Sequence, residues 1–295
     1  MANLYVQAES NTRKTWLFML FFFLLVIGFG WLLSYIMGRS DILYFAVVVS
    51  ILTSFGSYWY SDKVVLSMTN ALPIEKKDNP ELYRLVENLC ITAGLPLPRI
   101  YILDEKQPNA FATGRDAKHA VIVVTRGLLE KLNKSELEGV IGHELSHIGN
   151  KDMLLQTVVV IMAGMIALAS NWFLRIGLRR GNDSEGSKNS LVFFAGIMAA
   201  ILAPLAASLI KMSISRKREF LADASGALLT RYPEGLARAL EKISSDPNAL
   251  NVSNDAVAHL FIAEPKREEL NWFSKLFLTH PPIEERIQAL REMEV

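Results

Sequence analysis

Cysteine is nearly absent from this chain, which has one in 295 residues. A single thiol, Cys90, cannot form an internal disulfide, so other forces must hold the fold together. An excess of either charge is also absent, because 31 basic and 30 acidic residues give a formal net charge of +1. No global field therefore calls for nucleic acid as a partner. Histidine is scarce, and five residues limit the choices for a metal or acid–base site.

Charged residues and histidine are missing from four long apolar segments, residues 16–37, 42–60, 153–174 and 191–210. Each is about the length that a membrane-spanning helix needs. With 51% hydrophobic residues and a mean hydropathy of +0.24, they predict an integral membrane protein with four transmembrane helices. Transporters usually carry ionisable groups inside their spans, so the composition argues against a metal transporter.

Two of these assignments have alternatives. The first segment could be a cleavable signal peptide, but it is long and rich in phenylalanine and shows no cleavage site, which favours a retained anchor. The third and fourth segments form either a second transmembrane hairpin or a hairpin buried inside the protein. Pro204 interrupts the fourth segment, and a membrane helix tolerates such a residue as a kink.

The apolar segments divide the chain into four parts: an N-terminal segment with a hairpin (1–61), a globular part (62–152), a second apolar hairpin (153–212) and a C-terminal part (213–295). In the globular part, Pro80 and Gly94 bound a predicted helix that has Cys90 on its apolar side. Short strands are predicted at 100–103, 109–114 and 121–125. The fold class is therefore α+β, mainly α, with a small sheet.

Residues 135–150, SELEGVIGHELSHIGN, contain an HExxH motif on a predicted helix. Ser135 and Glu138 form a capping-box pattern at its start. His143 and His147 lie one turn apart on one helix face, so both imidazoles can reach a single metal ion. Glu144 can face a water molecule without being a ligand, as the base of a zinc hydrolase does. The alternative is a solvated helix face without a metal.

A catalytic zinc needs a third protein ligand. Glu219 is the first acidic residue after the fourth apolar segment, and Asp223 follows on the same helix face. We predict that Glu219 completes the site and that Asp223 accepts a hydrogen bond from a ligand imidazole. The alternative is that both residues pair with Arg216 and its basic neighbours on a solvated helix. His280, before two prolines, either donates to an oxyanion or caps a turn.

The motifs HELSHIGNKD, REFLADASG and THPPIEERI, in this order around two apolar segments, resemble those of the membrane-bound HtpX-type heat-shock proteases. This family belongs to the wider group that includes the CAAX prenyl endopeptidases. The resemblance implies a gluzincin-like, zincin-type catalytic domain with one Zn²⁺ per chain. It assigns His143, His147 and Glu219 as ligands, Glu144 as the base, and Asp223 as the partner of a ligand.

The same resemblance implies that His280 steadies the transition state. The segment NAFATG fits the family too, and its residues Asn109, Ala110, Phe111 and Ala112 are expected on a strand that borders the cleft and pairs with an extended substrate. Protein or peptide substrates and the lipid bilayer are the expected partners, with a role in degrading damaged or misfolded membrane proteins. The sequence does not define an oligomeric state.

Basic residues that flank the first, second and fourth segments favour a cytoplasmic catalytic region in a bacterial inner membrane. The basic residues of the loop after the third segment argue the other way, and a buried hairpin would remove that conflict. A rival to the protease is a non-catalytic membrane scaffold with a structural zinc. Structural zinc sites usually have four ligands that include cysteine, and the one cysteine here is remote from the motif.

Overall fold

The computed structural model describes residues 4–180, 216–247, 260–262 and 281–293. These residues are mainly helical with one small sheet, in agreement with the α+β prediction. The helices are α1 Leu4–Met37, α2 Asp41–Trp59, α3 Ser61–Thr69, α4 Pro80–Ala93, α5 Arg126–Lys131, α6 Lys134–Gly149, α7 Asp152–Arg180, α8 Arg216–Thr230, α9 Pro233–Ser245 and α10 Ile283–Arg291. The strands are β1 Leu72–Pro73, β2 Arg99–Leu103, β3 Ala110–Thr113 and β4 Val121–Thr125.

Helices α1 and α2 pack against each other as a hairpin that turns at Gly38, where φ is +62°. Two helical segments of the described residues, Glu9–Tyr35 and Asp41–Trp59, are long and apolar enough to cross a membrane. Large apolar side chains along both, among them Trp31 and Phe55, are exposed, as expected for a surface in contact with lipid. Helix α1 begins well before its apolar segment, so the polar residues from Leu4 onward are part of the same helix.

The third apolar segment is part of one helix, α7, which continues to Arg180. Residues 175–180 were expected in a polar loop, and that expectation is wrong because the helix extends through them. The apolar stretch Asp152–Ile166 is buried and packs against α1 and α3. The fourth apolar segment lies outside the described residues, so four transmembrane helices stay a prediction.

The predicted strands form a four-stranded sheet in the order β1-β2-β4-β3. Strand β4 pairs in parallel with β2 and antiparallel with β3, which lies at one edge. Side chains alternate between the faces of a strand. Ile122 and Val124 pack with α4, α6 and α9, whereas Val121 and Val123 pack with α3 and α7. Because both faces are covered, β4 is an uninterrupted apolar sequence.

Local sequence sets the helix ends near the site. The Asn79 side chain accepts a hydrogen bond from Leu82 N, and Gly94 ends α4 with φ +66°, as predicted. A capping box does open α6, but it consists of Asn133 and Glu136. The prediction of Ser135 and Glu138 was therefore wrong by two residues, because the pattern Asn-x-x-Glu two positions earlier supplies the same two hydrogen bonds.

Candidate metal centre

The site is built where α6 crosses α8, and two glycines let the helices approach closely. A Cβ atom placed on Gly226 would lie 2.7 Å from the backbone nitrogen of His143. Gly142 faces Gly226 from the other helix, with its own hypothetical Cβ 3.2 Å from the carbonyl oxygen of Gly226. Since Glu219 and Asp223 precede Gly226 by seven and three residues, they share its helix face. The close crossing therefore brings both carboxylates against the HExxH helix.

Three buried side chains converge at this crossing. The Nε2 atoms of His143 and His147 are 3.1 Å apart. Glu219 Oε2 lies 3.9 Å from His143 Nε2, and Glu219 Oε1 lies 3.7 Å from His147 Nε2. One ligand atom from each residue can be chosen so that all three lie within 4.8 Å of one another. The three residues that the sequence analysis named as ligands therefore lie together, and their binding of a metal ion stays a prediction.

The arrangement fits a metal ion. Tetrahedral bonds of about 2.05 Å place two ligand atoms about 3.3 Å apart, and the observed separations lie on both sides of that distance. Two histidines and one glutamate are also the ligand set of a catalytic zinc that keeps one position open. The side chains of all three residues are at most 7% exposed, which contradicts the alternative of a solvated helix face.

Asp223 contacts the imidazole of His143, and Arg286 contacts Asp223. Asp223 Oδ1 lies 2.9 Å from Nδ1 of His143, a close contact whose alignment is poor for a hydrogen bond. Arg286 donates to both oxygens of Asp223, at 2.8 and 2.7 Å, and to the carbonyl oxygen of Ile262. Burial raises the pKa of Asp223, but the guanidinium of Arg286 outweighs it and holds the pKa below its ordinary value. Asp223 is therefore held as a carboxylate, with one oxygen close to the imidazole of His143.

Asp152 contacts the imidazole of His147. Its Oδ2 atom lies 3.1 Å from Nδ1 of His147, which leaves Nε2 to face the site. Burial lowers the pKa of His147, but the hydrogen bond to Asp152 and the nearby Glu219 raise it to about 9. The raised pKa means that this imidazole holds a proton more tightly, so a metal ion bound there would compete with that proton.

Glu144 lies between the two histidines in sequence and is buried, with 2% of its surface exposed. Burial is the largest influence on its carboxyl group and raises the pKa above its ordinary value. The charges of His143, His147 and Arg286 oppose this shift without cancelling it. A carboxylate with a raised pKa is better suited to accept a proton near neutral pH.

The residues Ala110 and Ala112 of β3 pack in one core cluster with Val140 and Ile141 of α6, the helix that carries the two histidines. The predicted strand is present as β3, at the sheet edge. Asn109 O accepts a hydrogen bond from Thr125 N, so by alternation Ala110 and Ala112 direct their backbone groups away from β4. The carbonyl oxygen of Ala110 is bonded to Ile262 N. His280 lies outside the described residues.

The sequence reasoning did not identify Asp152 and Arg286. Asp152 follows His147 by five residues, at the start of the next helix, and a turn at Lys151 with φ +57° brings it back to the imidazole. Arg286 shares a helix face with Ile283 and Leu290 of α10. A charge on that apolar face was a usable signal that the residue has a buried partner.

The chain is similar to known proteins over most of its length. Residues 76–294 match the family described as Peptidase family M48. A protease HtpX homolog of Thermoanaerobacter pseudethanolicus is 42% identical over 98% of each chain. Another, from Thermococcus kodakarensis, is 46% identical over 91% of each chain. The solved structure of S. mikatae Ste24p covers 98% of this chain and 67% of its own, with a TM-score of 0.44 and 21% identity.

A buried pair of helical histidines with a glutamate between them and an acidic residue opposite defines the class of metal-dependent peptidases. The chain belongs to Peptidase family M48, with curated relatives of the HtpX type along nearly its full length. It is a metalloendopeptidase of the membrane, and the α1–α2 hairpin supplies two candidate spans.

Proposed function

We propose that the ion of this endopeptidase is zinc, one per chain, and that His143, His147 and Glu219 bind it. The convergence of these three buried side chains is the observation that carries the proposal. The part of the cluster that the structure describes contains no cysteine, which favours a catalytic site over a closed structural one. Asp223 and Asp152 orient the two imidazoles from the outer side.

Bound zinc would act as a Lewis acid that polarises the scissile carbonyl and makes water more acidic. Glu144 removes one proton from the attacking water as the new carbon–oxygen bond forms. It then delivers this proton to the amine nitrogen as the carbon–nitrogen bond breaks. The raised pKa of Glu144 matches both steps, because the group must bind the proton and then release it.

Two further assignments belong to this proposal. His280 donates a hydrogen bond to the oxyanion of the tetrahedral intermediate. The strand of Asn109 to Ala112 receives an extended substrate by strand addition. The backbone nitrogen of Ile262 already donates a hydrogen bond to the carbonyl oxygen of Ala110. A substrate strand therefore either begins its pairing at Ala112 or displaces the segment 260–262.

The cellular part of the proposal follows the relatives and the charge pattern. The protein is a multi-pass protein of the bacterial inner membrane with four spans and a cytoplasmic catalytic region formed by 62–152 and 213–295. Its substrates are damaged or misfolded membrane proteins, for which an active site beside the α1–α2 hairpin is well situated. The apolar parts 1–61 and 153–212 anchor these two halves.

Glu144→Ala tests the chemistry, with zinc content and casein cleavage measured on the purified full chain. The variant should keep zinc, because Glu144 is not among the three ligands, and should lose cleavage by at least a hundredfold. Glu138→Ala is the matched control, since this residue lies on the same helix, is half-exposed and has only a distant ion pair of 3.9 Å with Lys134. Cleavage by Glu144→Ala at the wild-type rate would refute the mechanism.

A further inference from the structure

Asn11, near the start of α1, is buried with 1% of its surface exposed. It lies 139 and 141 positions from its partners Asn150 and Asp152 in sequence. Its Nδ2 atom donates to Asn150 O at 3.1 Å and to Asp152 Oδ1 at 2.5 Å. Its Oδ1 atom accepts from Arg218 Nη1 at 3.1 Å. One amide thus joins the end of α6, the start of α7 and the start of α8.

The chemistry of these partners fixes the orientation of the amide. A guanidinium can only donate, whereas a carboxylate and a backbone carbonyl can only accept. Exchange of the nitrogen and oxygen of Asn11 would therefore break every one of these contacts. Among the described residues, Nε and Nη2 of Arg218 have no hydrogen-bond partner, whereas its Nη1 donates to Asn11 Oδ1.

Asp152 lies between Asn11 and the metal centre, and each of its two oxygens contacts one of them. Oδ2 lies 3.1 Å from Nδ1 of His147, and Oδ1 receives the hydrogen bond from Asn11. A carboxylate that orients a ligand imidazole must itself be held in one rotamer. The amide of Asn11 and the guanidinium of Arg218, whose Nε lies 3.6 Å from Asp152 Oδ1, are the groups that hold it.

We propose that Asn11 is a positioning residue of the metal centre, which makes zinc retention depend on the N-terminal membrane helix. The inference rests on the proposed assignment of His147 as a ligand. The membrane helix α1, whose segment Glu9–Tyr35 is long enough to cross the membrane, thus contributes a side chain to the hydrogen bonds around the carboxylate that contacts His147. The N-terminal segment is therefore part of the active centre as well as part of an anchor.

The test compares zinc release from full-length wild type, Asn11→Ala, Asp152→Asn and the double variant in detergent. The purified zinc-loaded proteins are mixed with excess EDTA, and the remaining zinc is measured over time. Loss of such outer partners commonly weakens metal binding by about tenfold to a hundredfold. We expect Asn11→Ala to release zinc about tenfold faster than wild type. The double variant should release zinc no faster than the faster of the two single variants.

Thr15→Val is the matched control. Thr15 lies one turn further along α1 and is equally buried, and its hydroxyl donates to the carbonyl oxygen of Asn11 within the same helix. Valine keeps the shape of threonine, so zinc release should stay within twofold of wild type. Asn11→Asp is the second variant, because it can still pair with Arg218 but turns a carboxylate against Asp152, and it should release zinc at least as fast as Asn11→Ala.

The outcomes separate this inference from the proposed function. Release from Asn11→Ala at the wild-type rate, equal acceleration by Thr15→Val, or additive effects of the Asn11 and Asp152 substitutions would each overturn the positioning role while leaving the zinc site intact. Failure of both Asn11 variants to fold would assign a purely structural role and would overturn it too. A wild type without stoichiometric zinc would overturn both proposals.

Discussion

Arg286 and Asp223 form a fully buried, two-pronged ion pair behind His143. The Nε and Nη2 atoms of Arg286 donate to the two oxygens of Asp223 at 2.8 and 2.7 Å, and the two side chains are 0% and 4% exposed. The pair connects α10 to α8 and holds the carboxylate against the imidazole of His143. The C-terminal helix therefore contributes to the metal centre through a charge.

Arg286→Met should destabilise the protein strongly. Methionine fills much of the same space but leaves Asp223 as a buried charge without its partner, and such a loss commonly costs about 3–5 kcal/mol of unfolding free energy. Arg286→Lys should cost less, because it keeps the charge but cannot make two parallel hydrogen bonds. Denaturant unfolding of the two variants in detergent measures both effects.

Arg291→Lys is the control for this comparison. Arg291 lies on the same helix and also contacts two carboxylates, Glu234 and Glu241, but its side chain is 45% exposed. Exposed ion pairs contribute little to stability, so the unfolding midpoint of Arg291→Lys should match that of wild type. A wild-type midpoint for Arg286→Met would mean that the buried pair does not stabilise the fold.

Gly226→Ala should separate the two helices that form the site. The added methyl group would sit 2.7 Å from the nitrogen of His143, and this backbone contact cannot be relieved by a side-chain rotation. Helix α8 must therefore move, and Glu219 moves with it. We expect at least a tenfold loss of zinc affinity and of casein cleavage, measured by metal titration and peptide release.

Gly149→Ala tests whether an alanine at any glycine near the motif would also lower zinc affinity. Gly149 ends the same helix α6, and the nearest atom to its hypothetical Cβ is a methyl carbon of Leu95 at 4.0 Å. Zinc affinity should be unchanged. Equal losses in the Gly149 and Gly226 variants would show that the close crossing is not what positions Glu219.

The HExxH helix and the strands could be predicted because each depends on a short local pattern. The two histidines are four residues apart and so lie one turn apart on an α-helix, and all five residues of Val121–Thr125 are β-branched. Glu219 required one further step, namely that the chain returns to the same side after two apolar segments. These inferences needed only periodicity and the requirements of a zinc ion.

The groups behind the ligands could not be predicted in the same way. The hydrogen bond of Asn11 to Asp152 joins residues that are 141 positions apart, and no local pattern encodes which buried polar groups will meet. The capping box was missed because two overlapping patterns, Asn133 with Glu136 and Ser135 with Glu138, compete within one turn. Only tertiary packing decides such cases.

Cys90 should resist alkylation until the protein unfolds. Its side chain is 2% exposed, and burial raises the pKa of the thiol to about 11. At pH 8 about one thiol in a thousand is then ionised, compared with about a quarter for an ordinary value near 8.5. Mass spectrometry after iodoacetamide treatment should show no adduct on the native chain and one adduct in urea, because the chain has one cysteine.

The same shift gives the direction of a pH effect. Because the folded pKa of Cys90 is above the unfolded one, its contribution to stability is complete below about pH 8.5 and is lost as the pH rises towards 11. Cys90→Ala should therefore unfold with a weaker pH dependence between pH 8.5 and 11 than wild type. Rapid labelling of the native chain at pH 8 would contradict the burial on which both expectations rest.

Membrane topology is the last expectation, and two reporter fusions test it. If residues 153–174 and 191–210 both span the bilayer, a reporter at Asn182 lies in the periplasm, and one after Val295 lies in the cytoplasm. The basic residues of 175–188 oppose this arrangement, since such residues favour the cytoplasm. We nevertheless expect opposite sides, because each segment has the length of a span and contains no charge. Two cytoplasmic reporters would instead mean that the second hairpin is buried in the protein. The packing of Asp152–Ile166 against α1 and α3 would then be part of that buried hairpin.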